Sequence, residues 1–296
     1  MQILFLGTSS MVPTKERNQS GVLISYDSGG ILVDCGEGTQ RQLKVAGIKL
    51  TKITKILISH WHGDHVLGIP GLIQSMSASG YEKTLRIYGP IGTKKFMERM
   101  FGVFLFDRRI DISVYEVKKG KFFEDGDIVL EAEHLNHNIE TLGYNIVEKG
   151  KRKINLRFVK KIGIPEGPLL GKLQGGKSIM WGGKKVDVDK ATNVVKGKRI
   201  TIISDTVPCK GADKLAKNSN LLVCEATYAS NLENKGEEHG HMTAKQAAEL
   251  ANRSNVKKLV LTHFSARYKN TRELEEDARN CFGNVLCAKD FMKINL

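Results

Sequence analysis

The segment ILISHWHGDHVLGIPGL, residues 56–72, decides the fold. The apolar run from Ile53 to Ile58, with Lys55 inside it, has the composition of a β-strand, and the small-residue and apolar stretch from Val66 to Met76 starts a helix. Between them stand His60, His62, Asp64 and His65. A strand that stops at imidazoles and a carboxylate is how α/β proteins place sites at the carboxyl ends of strands. Three histidines and an aspartate within six residues are too dense for one tetrahedral ion to engage them all. Two ions sharing the segment is the more natural solution, and two-metal sites serve displacement at phosphorus. Solvated loop histidines are the alternative, and the matching positions downstream speak against it.

On the amino-terminal side, ILFLG, GVLISY and ILVDCG alternate with turns, the last at Asp27–Gly30, which favours an antiparallel opening. The loop Pro13-Thr14-Lys15-Glu16-Arg17-Asn18 between the first two runs is either a plain connection or a phosphate contact through Lys15, Arg17 and Asn18. Asp34 follows a strand and precedes the helix TQRQLKVAG, placed to buttress the His60 loop as imidazole ligands require. The strand LRIYGP, a helix from Thr93 to Phe106, and the strands ISVYEV, IVLEAEHL and GYNIV come next. His137, in the turn before the last strand, is a ligand candidate, whereas His134 reads as structural.

Farther on, RITIISD ends on Asp205, a carboxylate suited to bridging two cations. LLVCEAT ends near Glu225 and KKLVLTH ends on His263. His239 and His241 precede the helix TAKQAAELANRS, with Thr243 as its N-cap. Strand ends at 60, 205, 225 and 263 thus all carry metal-type or acid–base residues.

At 296 residues the chain suffices for one large or two small domains, with 41% hydrophobic and 26% charged residues, as in water-soluble proteins. MQILFLGTSS reads as a first strand rather than a signal segment, and no apolar run is long enough for a membrane span. Five cysteines without paired CxxC spacing fit a reducing, cytoplasmic setting. The net charge of +14 is unevenly placed. Residues 1–147 carry 17 Lys and Arg against 16 Asp and Glu, and residues 200–296 carry 14 against 12. The 52 residues from Glu148 to Arg199 carry 15 against 4. Such concentration points to a polyanion-binding element, with a plain solvated arm as the alternative. Within it, Asn155 is a helix N-cap, Gly163 a C′ residue and Pro165 a stop. Gly167, Pro168 and Gly171 read as hinges in a flexible arm that projects from the core.

The set HxHxDH, His137, Asp205 and His263 resembles the metallo-β-lactamase superfamily. Within it the chain is similar, over almost its whole length, to the tRNase Z family, the endonucleases that remove 3′ trailers from precursor tRNA. PTKERN fits that family's PxKxRN loop, SDT at 204–206 its bridging-aspartate strand, and Glu225-Ala226-Thr227 its HEAT motif, with Cys224 in place of the first histidine. GHMTA at 240–244, THFSARY at 262–268 and GIPEGPLLGKL at 163–173 fit its catalytic histidine, its HST loop and its arm.

The resemblance implies an αβ/βα four-layer sandwich, a single α/β domain over residues 1–296 with the basic arm, 148–199, inserted. It implies two zinc ions per subunit, with manganese the other candidate. His60, His62 and His137 would hold one ion, Asp64, His65 and His263 the other, and Asp205 would lie between them. Asp64 would also accept a proton from the attacking water, and His241, held cationic by Glu225, would be the general acid. Lys15, Arg17, Asn18, Ser265 and Arg267 would contact substrate, as would Gly167 and Pro168 in the arm. The partners implied are precursor tRNA and a second copy of the chain in a homodimer, with no membrane. Two rivals are a hydrolase of a small phosphodiester or thioester and a non-catalytic RNA-binding protein. The first leaves the basic segment without purpose. The second predicts a missing ligand or acid, and none is missing.

Overall fold

The strand Gln2–Gly7 is buried almost throughout, with Ile3 and Phe5 on one face and Leu4 and Leu6 on the other. Side chains alternate across a strand, so two apolar faces demand two covered layers. The computed structural model describes residues 1–105 and 109–296 and shows both layers. One seven-stranded sheet among these residues runs in the order Lys293–Asn295, Gln2–Gly7, Gly21–Tyr26, Gly29–Val33, Ile53–Leu57, Leu85–Gly89, Ile112–Glu116. Its first four strands pair antiparallel, as the sequence turns predict, and pairing from Gly29–Val33 onward is parallel. The second seven-stranded sheet runs Val285–Cys287, Leu259–Thr262, Leu221–Glu225, Arg199–Ile203, Thr141–Glu148, Ile128–Leu135, Gly120–Glu124. Its first four strands are parallel.

The sheets face each other through one core, in which Ile3, Phe5, Ile31 and Leu57 meet Leu130, Tyr144, Ile202 and Val223. On the outer face of the first sheet, Leu4, Leu32 and Ile56 pack against Leu43, Leu72, Ile73 and Met97 of helices Thr39–Val45, Ile69–Ala78 and Thr93–Val103. On that of the second, Leu222, Cys224 and Leu261 pack against helices Lys210–Ala216, Ala244–Arg253 and Arg272–Arg279. The result is the expected four-layer αβ/βα sandwich. The helix from Thr93 ends at Val103; Phe106, where the sequence would end it, lies outside the described residues. No helix among the described residues is long and apolar enough to cross a membrane.

Residues Val147–Lys198 form a second compact unit. Strands Lys151–Ile154 and Thr192–Val195 pair antiparallel at its base. Strands Ile179–Trp181 and Lys184–Val186 form a hairpin whose turn, Gly182-Gly183, has φ of 55° and 74°. Both values lie in the left-handed region that a two-residue hairpin turn requires. Asn155 caps the helix Leu156–Lys161 by accepting from the Phe158 N–H, and Gly163 ends it with φ of 71°, as read from the sequence.

The glycine-rich stretch read as hinges carries secondary structure of its own. Pro168 is the first residue of a helix, Pro168–Gln174, Gly167 precedes it, and Gly171 lies inside it. Leu173 is fully buried in a small core with Val159, Ile164, Ile179, Val186 and Ala191. The Trp181 Nε1–H donates to the Ile162 carbonyl at 2.9 Å. Apolar residues drawn from several short elements meet in this core. Such a core depends on separated stretches meeting, which local composition does not reveal.

Candidate metal centre and catalytic site

The chain leaving strand Ile53–Leu57 is pinned before it reaches the histidines. The Ile58 N–H donates to the Tyr88 carbonyl at 2.7 Å, and the buried Tyr144 hydroxyl donates to the Ile58 carbonyl at 2.6 Å. His60 follows at once, and a helical turn, Gly63–Val66, carries Asp64 and His65. Asp205 follows strand Arg199–Ile203 and His263 directly follows strand Leu259–Thr262, while His137 lies just before Thr141–Glu148. His263 and Asp34 are non-glycine residues in the left-handed region, at φ of 60° and 57°. Such conformations persist where surrounding contacts enforce them, and they cluster at functional sites.

Those contacts orient each imidazole. The Asp34 carboxylate accepts from the Ser59 N–H at 2.7 Å and the Ser59 hydroxyl at 2.8 Å, and lies 2.8 Å from His65 Nδ1. Ser59 Oγ lies 2.9 Å from His60 Nδ1. The Gly240 carbonyl lies 2.8 Å from His137 Nδ1, and Thr227 Oγ1 lies 3.0 Å from His263 Nδ1. With Nδ1 bonded to a partner in all four, every Nε2 faces the centre, where a bound cation would take its lone pair. Partners on the far nitrogen are what fix a ligand's tautomer.

Three donor groups then converge. His62 Nδ1 lies 3.1 Å from His60 Nε2 and 3.3 Å from His137 Nε2. Asp64 Oδ2 lies 3.4 Å from His65 Nε2 and 3.5 Å from His263 Nε2. Asp205 Oδ2 lies 3.7 Å from His60 Nε2 and 3.5 Å from His65 Nε2, and its Oδ1 lies 3.3 Å from His263 Nε2. The structure thus brings together all seven sequence-predicted ligands, in groups whose donor atoms lie within 4.8 Å of one another.

The residues fit metal ions. Among the described residues, His65 Nε2 and His263 Nε2 are buried without a hydrogen-bond partner, which is costly unless a cation takes their lone pairs. Burial, with His65 alongside, keeps His60 well below the ordinary histidine range and therefore neutral, as a ligand must be. Burial pushes the Asp205 and Asp64 carboxyls up, but neighbouring His263 and His65 more than offset this and hold both ionised.

His241 stands beside the cage. Its Nδ1 lies 3.1 Å from Glu225 Oε1 and 3.9 Å from Asp205 Oδ2. Glu225, fully buried, is held by the Thr206 N–H at 2.7 Å and the Thr227 hydroxyl at 2.6 Å. Burial lowers the His241 pKa, but Glu225 outweighs it and raises the value to about 9. His241 is therefore a cation at neutral pH, equipped to give up a proton.

A "Beta-lactamase superfamily domain" model matches residues 187–264, and an "Anti-Pycsar protein Apyc1" model matches residues 1–98. Ribonuclease Z of Methanothermobacter thermautotrophicus is 39% identical over 297 residues, which cover 100% of this chain and 97% of that protein. The chain belongs to the ribonuclease Z family. It is accordingly a ribonuclease, a hydrolase. Ribonuclease BN of Escherichia coli is 39% identical over 305 residues, covering both proteins fully. The crystal structure of the human tRNase Z short form has a TM-score of 0.73 and 30% identity, covering 100% of this chain and 99% of that one. The four-layer architecture is therefore the metallo-β-lactamase fold.

In this ribonuclease Z fold, sequence reasoning placed the candidate ligands and one group that aims them, Asp34, and missed three others. Ser59, Thr227 and Gly240 act through one hydroxyl or carbonyl each. A Cβ on Gly240 would lie 2.6 Å from His137 Nδ1, so only glycine lets that imidazole approach. Adjacency to a ligand or acid in sequence was the available signal for Ser59 and Thr227. Lys15 and Arg267 are exposed, and the Arg267 guanidinium lies 5.6 Å from the centre of the Tyr228 ring. Asn18 and Ser265 are partly buried. Arg17 is buried and donates to the carbonyls of Tyr268 at 2.7 Å and Ser265 at 3.3 Å. Gly167 and Pro168 belong to the unit of residues 147–198.

Proposed function

We propose that this chain removes the 3′ trailer from precursor tRNA, cutting a phosphodiester so that the tRNA keeps a 3′-hydroxyl. The observation that carries the reading is the pairing of the seven-residue cage with a cationic His241 held by buried Glu225. His60, His62 and His137 would hold one zinc ion, Asp64, His65 and His263 a second, with Asp205 shared and manganese an alternative occupant. Such ions supply Lewis-acid charge at the phosphoryl group and lower the pKa of a nearby water. Asp64, ionised and facing the cage, accepts a proton from the attacking water. His241 donates its Nε2 proton to the departing 3′-oxygen while Glu225 stabilises the imidazolium.

The unit of residues 147–198 carries most of the chain's net positive charge, which suits phosphate neutralisation along a folded RNA. A-form helices are gripped by shape rather than read in sequence, and we assign that role to this arm. A homodimer in the cytoplasm, acting on precursor tRNA, completes the proposal. Because Lys151–Ile154 pairs with Thr192–Val195, a short linker replacing residues 151–195 removes the arm cleanly. The shortened enzyme should lose cleavage of precursor tRNA and keep hydrolysis of bis(p-nitrophenyl) phosphate. If both activities fall together, the arm is structural and the division of labour is wrong. Asp64→Ala should abolish cleavage and leave tRNA binding largely intact.

A further inference from the structure

Asp290 lies in the turn between strands Val285–Cys287 and Lys293–Asn295, outside every motif noted above. Its Oδ1 accepts from the Thr8 hydroxyl at 2.8 Å. Its Oδ2 accepts from the Asn18 N–H at 2.8 Å and from Gln42 Nε2 at 3.0 Å. The same Gln42 amide donates to the Leu6 carbonyl at 2.8 Å. Phe291 next to it adopts φ of 66°, and its N–H donates to the Phe5 carbonyl at 2.7 Å, which fixes the turn. One carboxylate therefore fastens both ends of the loop formed by residues 8–18.

Next to Asn18, Arg17 ties the loop to a second segment. Its guanidinium reaches the Tyr268 and Ser265 carbonyls, 251 and 248 residues away in sequence. Two backbone bonds run alongside, from the Ser10 N–H to the Phe264 carbonyl at 3.0 Å and from the Phe264 N–H to the Thr8 carbonyl at 2.9 Å. Phe264 directly follows the ligand His263. A planar guanidinium spans two carbonyls as a lysine ammonium, a point charge on a flexible stem, does not. Lys15 on the loop and Arg267 on the opposite segment remain exposed.

From this geometry we infer that Arg17 and Asp290 are positioning residues: Asp290 seats loop 8–18 and Arg17 clamps it to residues 265–268. Lys15 and Arg267 are thereby held on the two segments flanking His263, as phosphate contacts for the RNA. The inference rests on the RNA-cleaving function proposed above and reassigns Arg17 from substrate contact to tether. Arg17 acts on the substrate only through the segments it joins.

The test compares Asp290→Asn, Arg17→Lys and Lys15→Ala in the full-length, metal-loaded enzyme. Precursor tRNA and bis(p-nitrophenyl) phosphate are the substrates, and amide hydrogen exchange is the structural readout. Asp290→Asn should raise KM for precursor tRNA about tenfold, the scale of one charge-assisted hydrogen bond, with kcat and small-diester hydrolysis within about twofold of wild type. Exchange should quicken at residues 9–18 and 264–268 and not at 60–65. Arg17→Lys should do the same although it keeps the charge, and should leave the dependence of log KM on log salt unchanged. Lys15→Ala should flatten that dependence by about one ion. Three results would overturn the inference: unchanged KM in Asp290→Asn, equal losses on both substrates, or Arg17→Lys behaving as wild type. If wild-type enzyme fails to cleave precursor tRNA, the proposed function falls, while hydrogen exchange still decides whether the tether exists.

Discussion

Asp34→Asn separates the aiming of a ligand from the ligand itself. Asp34 touches no donor atom of the cage, yet it binds the Ser59 N–H, the Ser59 hydroxyl and the His65 imidazole at 2.7, 2.8 and 2.8 Å. Asparagine keeps the volume and tolerates the φ of 57° at this position, so backbone strain does not confuse the result. It has one acceptor oxygen in place of two, and its amide group would face existing donors. At least one of the three bonds is lost, and the imidazole loses its anionic partner. Loss of a carboxylate behind a metal-bound histidine typically costs about 10- to 100-fold in affinity, or about 1.4–2.7 kcal/mol. The loss should fall on the ion that the proposal assigns to Asp64, His65 and His263. The other set, His60, His62 and His137, depends on Gly240 and only indirectly on Asp34, through Ser59. Zinc titration of the metal-free protein against a competing chromophoric chelator reads both steps. The expected result is one weakened step and one nearly unchanged. Two unchanged steps, with wild-type activity, would refute the role of Asp34, and two equally weakened steps would refute the assignment of separate ligand sets.

Three further outcomes are expected. Glu225→Gln removes the group that raises His241 to about 9, so the alkaline limb of the kcat–pH profile should move to lower pH; an unmoved limb would exclude His241 as the acid. The sign in stability follows, because a raised folded-state pKa stabilises fully below the ordinary value of 6.5 and is lost as pH rises through about 9. Urea unfolding of metal-free protein should therefore show the wild-type advantage over Glu225→Gln shrinking across that window. Tyr144→Phe leaves the buried Ile58 carbonyl without its 2.6 Å bond and should cost about 1–3 kcal/mol in denaturant unfolding. Gly240→Ala places a Cβ 2.6 Å from His137 Nδ1 at a residue with φ of 76°. It should destabilise by about 1 kcal/mol or more and lower the thermal stabilisation that added zinc gives.

Local patterns made much of the molecule legible. Apolar runs broken by Gly and Asp predicted the antiparallel opening, and Thr243 predicted the start of helix Ala244–Arg253, which it caps together with Gln246. The strand Gly120–Glu124 escaped notice, since it lies at a sheet edge and alternates weakly. The arm reads as glycine-rich locally, whereas its small core joins Val159, Leu173 and Val186 from separate elements.

By itself, the sequence determined the candidate ligand types, the strand ends that carry them and the concentration of positive charge, because each is a property of neighbouring residues. The HWHGDH loop supplies four of the seven candidate ligands within six positions. Tertiary structure alone decided which nitrogen each imidazole presents, since Asp34, Thr227 and Gly240 reach their histidines across gaps of 31, 36 and 103 residues. It also decided that Arg17 faces the carbonyls of residues 265 and 268 rather than solvent. Hydrogen-bond direction depends on atoms meeting in space, and no spacing along the chain encodes it.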